Sequence, residues 1–369
     1  MKYLFINTVA GFGSTGKIVL SACEALQAQG HTCVIAYGRQ AVDRGIPTAA
    51  IGSPWDYRLH ALRHRILGTG GFGSKAATRR FLNWVREYDP DVIWLHNLHG
   101  YYIHLGLLFD YLRTCGKQVR WTLHDCWAFT GNCPYFTMAG CEKWRHGCGG
   151  CPQKNRYPKA LLDATAANYR RKKALFTGIP NMVLEVPSQW LAALVKQSFL
   201  KDYPIRVVPN TVDPSIFRPT AGDFREKHHL EGKFLVLGVA NVWEPRKGLA
   251  DLVQLSRLLP EDCKVVLVGL TDAQRAALPG NILGLNRTGS ARELAEIYTT
   301  ADVYVCPSLE ETFGMTVLEA ACCGTTPIVY EGTACQEVAL AHGGIAVPKG
   351  AENLAQAVTK QMRKAQEAL

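Results

Sequence analysis

The segment CPSLEETFGMTVLEAACCG (306–324) concentrates residues that could do chemistry. Glu311 precedes an expected helix, and Glu319 lies eight positions further on. Were the whole span helical, the two carboxylates would stand about 12 Å apart along the axis. Hydrolytic carboxylate pairs flank one bond at roughly 5–9.5 Å, so a hydrolase dyad fits poorly. Two carboxylates gripping different hydroxyls of one extended ligand fit better. Between them, the amides of Phe313, Gly314, Met315 and Thr316 open the helix and could meet phosphates. Two glutamates at this spacing are common on solvated helices; set between two strands, with PS before and GTTP after, they are far more specific.

A second candidate is the loop Gly11-Phe12-Gly13-Ser14-Thr15-Gly16-Lys17-Ile18. It fits a phosphate loop up to its last position, where Ile18 offers no hydroxyl for a magnesium ion. It also fits a dinucleotide turn, but the next strand ends in AYGRQ without an acidic residue for a ribose. What remains is the shared physics of backbone N–H groups approaching an anion at a helix start, or a tight turn without a ligand. His124 and Asp125 fall at the end of an expected strand. The imidazole there could orient a ligand, with Asp125 fixing its tautomer. His99, just past its own strand, is a weaker candidate, as is His96. Beyond them, Cys133, Cys141, Cys148 and Cys151 match the ligand count of a structural zinc site and close with C-x2-C. Their gaps are looser than a zinc finger's and Cys126 competes, so buried free thiols and disulfides stay open. In each case the cluster is expected to brace a loop.

These residues need strands to carry them. Short β-branched runs at 2–9, 32–38, 91–97, 118–125, 205–210, 234–240, 264–269, 281–285, 303–308 and 326–332 read as strands. Helical patterns separate most of them, at 18–30, 77–88, 248–259, 291–301 and 315–323. Strands alternating with helices imply a parallel sheet covered on both faces. Two such series imply an α/β protein of two doubly wound, Rossmann-like domains. Ligands then sit outside the carboxyl ends of the strands. The expected divisions are 1–203, 204–350, and a terminal helix at 351–369 that could pack back on the first domain.

A chain of 369 residues suits two domains, and 47% apolar with 20% charged residues is a globular balance. No apolar run reaches the roughly 18 residues of a spanning helix. The N-terminus lacks the long apolar region and cleavage site of a secretory signal and reads as a buried strand. A cytoplasmic location with reduced thiols is therefore expected. Net charge is +10, and residues 1–200 carry 24 Lys and Arg against 11 Asp and Glu. A basic first half suits a polyanionic partner: nucleic acid, an anionic membrane or a phosphorylated substrate. Segments 58–67 and 169–176 interleave Arg and Lys with apolar residues, the composition of a helix lying on an anionic membrane.

PSLEETFGMTVLEAACCGTTPIV resembles the signature of family-four glycosyltransferases of the GT-B fold. VPNTVDPSIFRP (208–219), VANVWEPRKGLADLV (239–253) and VPSQWLAALVKQS (186–198) are similar to its hinge, its basic phosphate-binding turn and the end of its first domain. WLHNLHGYY (94–102) and LHDCWAFTGNC (123–133) resemble the branch that includes colanic-acid and exopolysaccharide transferases. The resemblance implies that Glu311 holds donor-sugar hydroxyls and Glu319 the ribose, while Arg246 and Lys247 neutralise the leaving diphosphate. It also implies that Gly13 and Ser14 approach the same phosphates, and that anomeric configuration is retained. Many relatives carry Gly-Arg where this chain has Asn241-Val242, and Arg246 is the substitute cation. Fixed cations and helix amides can meet leaving-group charge without a metal, and no Asp-x-Asp clamp stands at a strand end. The expected activity is metal-independent hexosyl transfer from a nucleotide-diphosphate sugar to a lipid-linked or oligosaccharide acceptor in bacterial surface polysaccharide synthesis. It would run peripheral to the inner membrane face, in a cleft between the domains, with no nucleic-acid partner. A sugar-nucleotide epimerase on the same architecture and a non-catalytic nucleic-acid-binding protein are the alternatives.

Overall fold

A computed structural model of the chain describes residues 1–367. In order, the first unit comprises β1 (Lys2–Ala10), α1 (Gly13–Ala28), β2 (Thr32–Ala41), β3 (Thr48–Ala50), α2 (Pro54–Leu67), α3 (Lys75–Tyr88), β4 (Val92–Leu95), α4 (Leu105–Thr114), β5 (Gln118–Thr122), α5 (Thr165–Phe176), β6 (Met182–Val186), α6 (Gln189–Val195) and β7 (Ile205–Val207). The second comprises α7 (Phe224–Lys227), β8 (Phe234–Val239), α8 (Leu249–Leu258), β9 (Cys263–Val268), α9 (Asp272–Ala276), β10 (Ile282–Leu285), α10 (Ala291–Thr300), β11 (Val303–Cys306), α11 (Met315–Cys322), β12 (Thr326–Tyr330), α12 (Ala334–Ala341), β13 (Ile345–Val347) and α13 (Ala351–Glu367).

Each unit is one parallel sheet. The first runs β3-β2-β1-β4-β5-β6-β7 and the second β10-β9-β8-β11-β12-β13. Helices cover both faces of such sheets, so central strands are continuous apolar runs. Leu4, Phe5 and Ile6 of β1 and Val303, Tyr304 and Val305 of β11 are all buried. In both sheets the winding reverses beside the first strand of the unit, between β1 and β4 and between β8 and β11. At such a reversal two loops diverge and leave a crevice at the carboxyl edge. Every candidate side chain of the second unit therefore has a defined place relative to β8 and β11.

The boundary falls between Pro209 and Asn210, not after residue 203. Ile205–Val207 pairs in parallel with Leu184–Val186 and so completes the first sheet as its edge strand. The patterns above missed β3 and β13, three-residue strands too short to show periodicity, and β6. In β6 the buried Glu185 interrupts an apolar run; Arg120 and Thr122 of β5 hold its carboxylate. The terminal helix also departs from expectation. Leu354, Val358 and Met362 of α13 are buried with Leu252 and Leu255 of α8 in a core of the second unit. Its apolar stripe thus covers the second sheet, while residues 368–369 lie outside the described part of the expected 351–369 helix. Truncating a fully buried leucine costs about 2–5 kcal/mol. Leu354→Ala is accordingly expected to lower the stability of the second unit by that amount, read by amide hydrogen exchange in β11–β13 across a denaturant series.

Candidate functional site

In the second unit the loop after β8 and the loop after β11 meet. A short 3-10 turn, Pro245–Lys247, carries the two cations, and Gly248 follows with φ 73°. A Cβ at Gly248 would collide with the Pro307 carbonyl, so glycine lets the turn approach the end of β11. The Leu309 N–H donates to the Arg246 carbonyl at 2.7 Å and ties the loops together. Lys247 Nζ pairs with Glu311 Oε1. Arg246 Nη1 lies 3.3 Å from the same oxygen and donates to the Glu310 carbonyl at 3.1 Å, while its Nε binds Glu244 at 2.9 Å.

Glu311 is only 9% exposed. Burial alone would raise its carboxyl pKa, but the charges of Lys247 and Arg246 outweigh burial and hold it below the usual glutamate range. The carboxylate therefore stays ionised near neutrality, between two cations. Gly314, at φ 98°, starts α11, and no side chain caps that start. The amides of Met315 and Thr316 open this helix, whereas the Phe313 ring packs into the core below. Glu319, one helical face further on, accepts a hydrogen bond from Tyr298 at 3.0 Å. Tyr298 carries no signal in the sequence, because α10 lies far from Glu319 along the chain. The structure thus gathers Glu311, Arg246, Lys247 and the start of α11 at one sheet edge.

In the first unit, Gly11 and Gly13 both adopt positive φ, the Gly11 N–H donates to the Gly16 carbonyl, and α1 begins at Gly13 without a side-chain cap. The expected helix start at residue 18 falls five positions late, because the glycine loop itself forms the first turn. Across the winding reversal, at the ends of β4 and β5, four titratable side chains converge. His96 Nδ1 lies 2.9 Å from His124 Nε2, and His99 Nε2 lies 2.8 Å from Asp125 Oδ2. Asp125, expected to fix the tautomer of His124, holds His99 and accepts the Trp127 N–H at 2.8 Å. Burial raises the Asp125 carboxyl, but the His99 charge and hydrogen bond outweigh it and leave it lowered. Burial pushes the His124 imidazole down to about 4 and His96 well below its usual range. The pair is neutral at pH 7, able to donate or accept single hydrogen bonds to a hydroxyl-bearing ligand.

The four expected zinc ligands, Cys133, Cys141, Cys148 and Cys151, line one small cavity in the loop between β5 and α5. They stand there as free thiols. Among the described residues no three His, Cys, Asp or Glu side chains form a ready coordination sphere.

Two parallel-sheet α/β units, of seven and six strands, match the GT-B fold of solved glycosyltransferase structures. The family model "Glycosyltransferase Family 4" matches residues 15–216, and "Glycosyl transferases group 1" matches residues 221–368. The chain belongs to glycosyltransferase family 4. It is 26% identical over 270 residues to WcaC of Escherichia coli, a protein named for glycosyl transfer in colanic acid biosynthesis, covering 70% of this chain and 64% of that one. It is 27% identical over 142 residues to an N-acetylgalactosaminyltransferase of Campylobacter jejuni named for a diphospho-undecaprenol acceptor, covering 37% of each chain. The chain thus spans less than two thirds of the length of these relatives. Among solved structures, sucrose-phosphate synthase of Thermosynechococcus elongatus superposes with TM-score 0.71 at 19% identity, covering 98% of this chain and 90% of that one. HepE of Anabaena, in complex with UDP and glucose, superposes with TM-score 0.68 at 15% identity, covering 99% and 91%.

A neutral His124 has a measurable consequence. The unfolded ring takes up its proton near pH 6.5 and the folded ring only near 4, so the unfolded state binds more protons between those values. Stability is therefore expected to fall as pH drops from about 6.5 to about 4. A histidine NMR titration, assigned with His124→Asn, should place the folded midpoint below 5; a midpoint at or above about 6 contradicts the desolvated ring.

Proposed function

We propose that the protein transfers a hexose, with retention and without a catalytic metal, from a nucleotide-diphosphate sugar to a lipid-linked saccharide of a bacterial surface polysaccharide. The observation that carries this reading is the ionised Glu311 between Lys247 and Arg246 beside the uncapped start of α11. In the proposed reaction the bond between the sugar's anomeric carbon and the diphosphate breaks, and the electron pair leaves with the phosphate. Lys247 and Arg246 meet that charge, joined by the amides of Phe313 to Thr316. Fixed donors of this kind stabilise developing charge without reorganising. The acceptor oxygen attacks from the face the diphosphate leaves, and its proton passes to a phosphate oxygen. Glu311 orients the donor hydroxyls, Glu319 holds the ribose, and His124, His99 and Asp125 of the first unit seat the acceptor. HepE bound to UDP and glucose supports a nucleotide-sugar donor, and the names of the Campylobacter and Escherichia relatives support a lipid-diphosphate acceptor and polysaccharide synthesis.

Lys247→Ala and Glu311→Ala are each expected to lower transfer by about 10²–10³-fold. Circular dichroism should remain that of the wild type, and EDTA should leave the wild-type rate unchanged. A coupled nucleotide-release assay with and without a saccharide acceptor reads the outcome. Wild-type rates in either variant overturn the reading, and donor turnover without acceptor points to an epimerase.

A lipid-linked acceptor implies work at the inner membrane face, and α2 supports it. Among the described residues no helix is long and apolar enough to cross a membrane. Helix α2, however, is turned inside out. His60 and His64 are buried, whereas Trp55, Leu59 and Leu62 are 67%, 65% and 57% exposed. With Ile66 they form one stripe, flanked by the exposed Arg58, Arg63 and Arg65. Leu161 and Leu162, also exposed, join the stripe through backbone bonds to Arg65 and Ile66. Apolar side chains rimmed by arginines suit an anionic bilayer, where each cation contributes about 1 kcal/mol. The segment 169–176 does not share this character, since Tyr169, Lys172 and Phe176 of α5 are buried. In flotation with phosphatidylglycerol vesicles at low salt, the wild type is expected to bind and a Leu59→Ser, Leu62→Ser variant to stay in solution. Equal flotation of both would remove α2 as the contact.

A further inference from the structure

We propose that Cys133, Cys141, Cys148 and Cys151 bind one structural zinc ion, and that this metal braces the loop carrying Asp125 and Trp127. The site is separate from the charge cluster of the second unit and does not depend on the donor chemistry proposed for it. The loop between β5 and α5 contains only two single 3-10 turns, Trp127–Phe129 and Lys143–Arg145. A loop this long without regular structure is uncommon in a compact domain and needs something to hold it. Its four cysteines, drawn from positions up to 18 residues apart, line one cavity of about 20 Å³ together with Phe136 and Trp144.

Several features prepare that cavity for a thiolate-bound cation. The Gly131 N–H points at Cys148 Sγ at 3.1 Å, a donor that outlasts deprotonation of the sulfur. A Cβ at Gly131 would collide with the Thr165 carbonyl and the Cys148 side chain, so only glycine brings that amide so close. Cys148 and Cys151 enclose Gly149 and Gly150, both at positive φ, and Lys143 Nζ donates to both glycine carbonyls at 2.9 and 2.8 Å. The turn between this final cysteine pair is thus fixed before any ligand arrives. The indole N–H of Trp144 is buried without a hydrogen-bond partner, and a thiolate sulfur can accept from it.

Lys172 is fully buried, and its Nζ donates to the Trp127 and Thr130 carbonyls at 2.7 and 3.2 Å. In the metal-free chain the sulfurs are separate thiols; rotation about their Cα–Cβ bonds brings them onto the ion as their protons leave to solvent. The connection to the candidate acceptor site is direct. Lys172 holds the Trp127 carbonyl, the Trp127 N–H holds Asp125, and Asp125 holds His99.

The test is metal content, read independently of transfer activity. Full-length protein purified from zinc-supplemented cells without chelator is expected to carry one zinc per chain by mass spectrometry of the metal. Cobalt exchanged into the wild type should give the intense visible bands of a tetrahedral thiolate site, and X-ray absorption should show sulfur at about 2.3 Å. A Cys148→Ser, Cys151→Ser variant should lose the metal, whereas Cys322→Ser, on α11 of the second unit, should retain it. Should the double variant fail to fold, the wild-type cobalt spectrum still decides. Wild-type protein without stoichiometric zinc, disulfides among these cysteines in non-reducing peptide maps, or cobalt bands lacking thiolate character would each overturn the proposal. Loss of transfer with zinc intact would bear on the catalytic reading alone.

Discussion

A carboxylate taken out of water must be met by positive charge, and the second unit is organised around that requirement. Glu311 is buried and ionised, and its partners come from a loop that precedes it by more than sixty residues. The pairing needs β8 and β11 to be neighbours, the Pro245–Lys247 turn to lie against the end of β11, and Gly248 to permit that approach. Each charge of the cluster is met by an opposite one within it, so none is left buried without a partner. The same three side chains therefore serve stability at rest, and in the proposed reaction the two cations meet the leaving diphosphate. A family-four transferase has reason to keep both properties in one place, since cations held by a buried carboxylate need no rearrangement to meet a phosphate.

The first unit is built on a different balance. Its sheet edge carries neutral histidines, kept so by burial, and one carboxylate already engaged by His99 and the Trp127 amide. Such groups recognise hydroxyls by direction more than by charge. Its cations lie away from that edge, Arg58, Arg63 and Arg65 among them on the outward face of α2. The net positive charge of this half is thus a property of its surface, and a reading of charge totals alone assigns it to no particular partner. Lys172 makes the point sharply: it counts toward the total, yet its Nζ is buried among carbonyl oxygens.

Much of this organisation could be read along the chain. Strand runs such as 234–240 and 303–308 and the helices at 248–259 and 315–323 appear within one or two residues of their observed ends, because buried parallel strands and amphipathic helices leave strong local patterns. Edge strands of three residues leave none, and β6 was hidden by Glu185, whose charge is matched only by residues of β5. The domain boundary shifted for a related reason: Ile205–Val207 looks like any short strand, and only its pairing with β6 assigns it to the first sheet.

The chemistry divides in the same way. Residue types and spacing fixed the identity of Glu311, Lys247, His124 and the four cysteines as the groups worth attention, since side-chain chemistry and loop position are local properties. Which of them touch was decided by the winding of the two sheets. Adjacency of β8 and β11 set Lys247 against Glu311, and adjacency of β4 and β5 set His96 against His124 and gave Asp125 to His99. The inward histidines of α2 and the burial of Lys172 were equally invisible beforehand. Which face of a helix meets a core depends on what the rest of the chain offers it, and that is known only once the chain has folded.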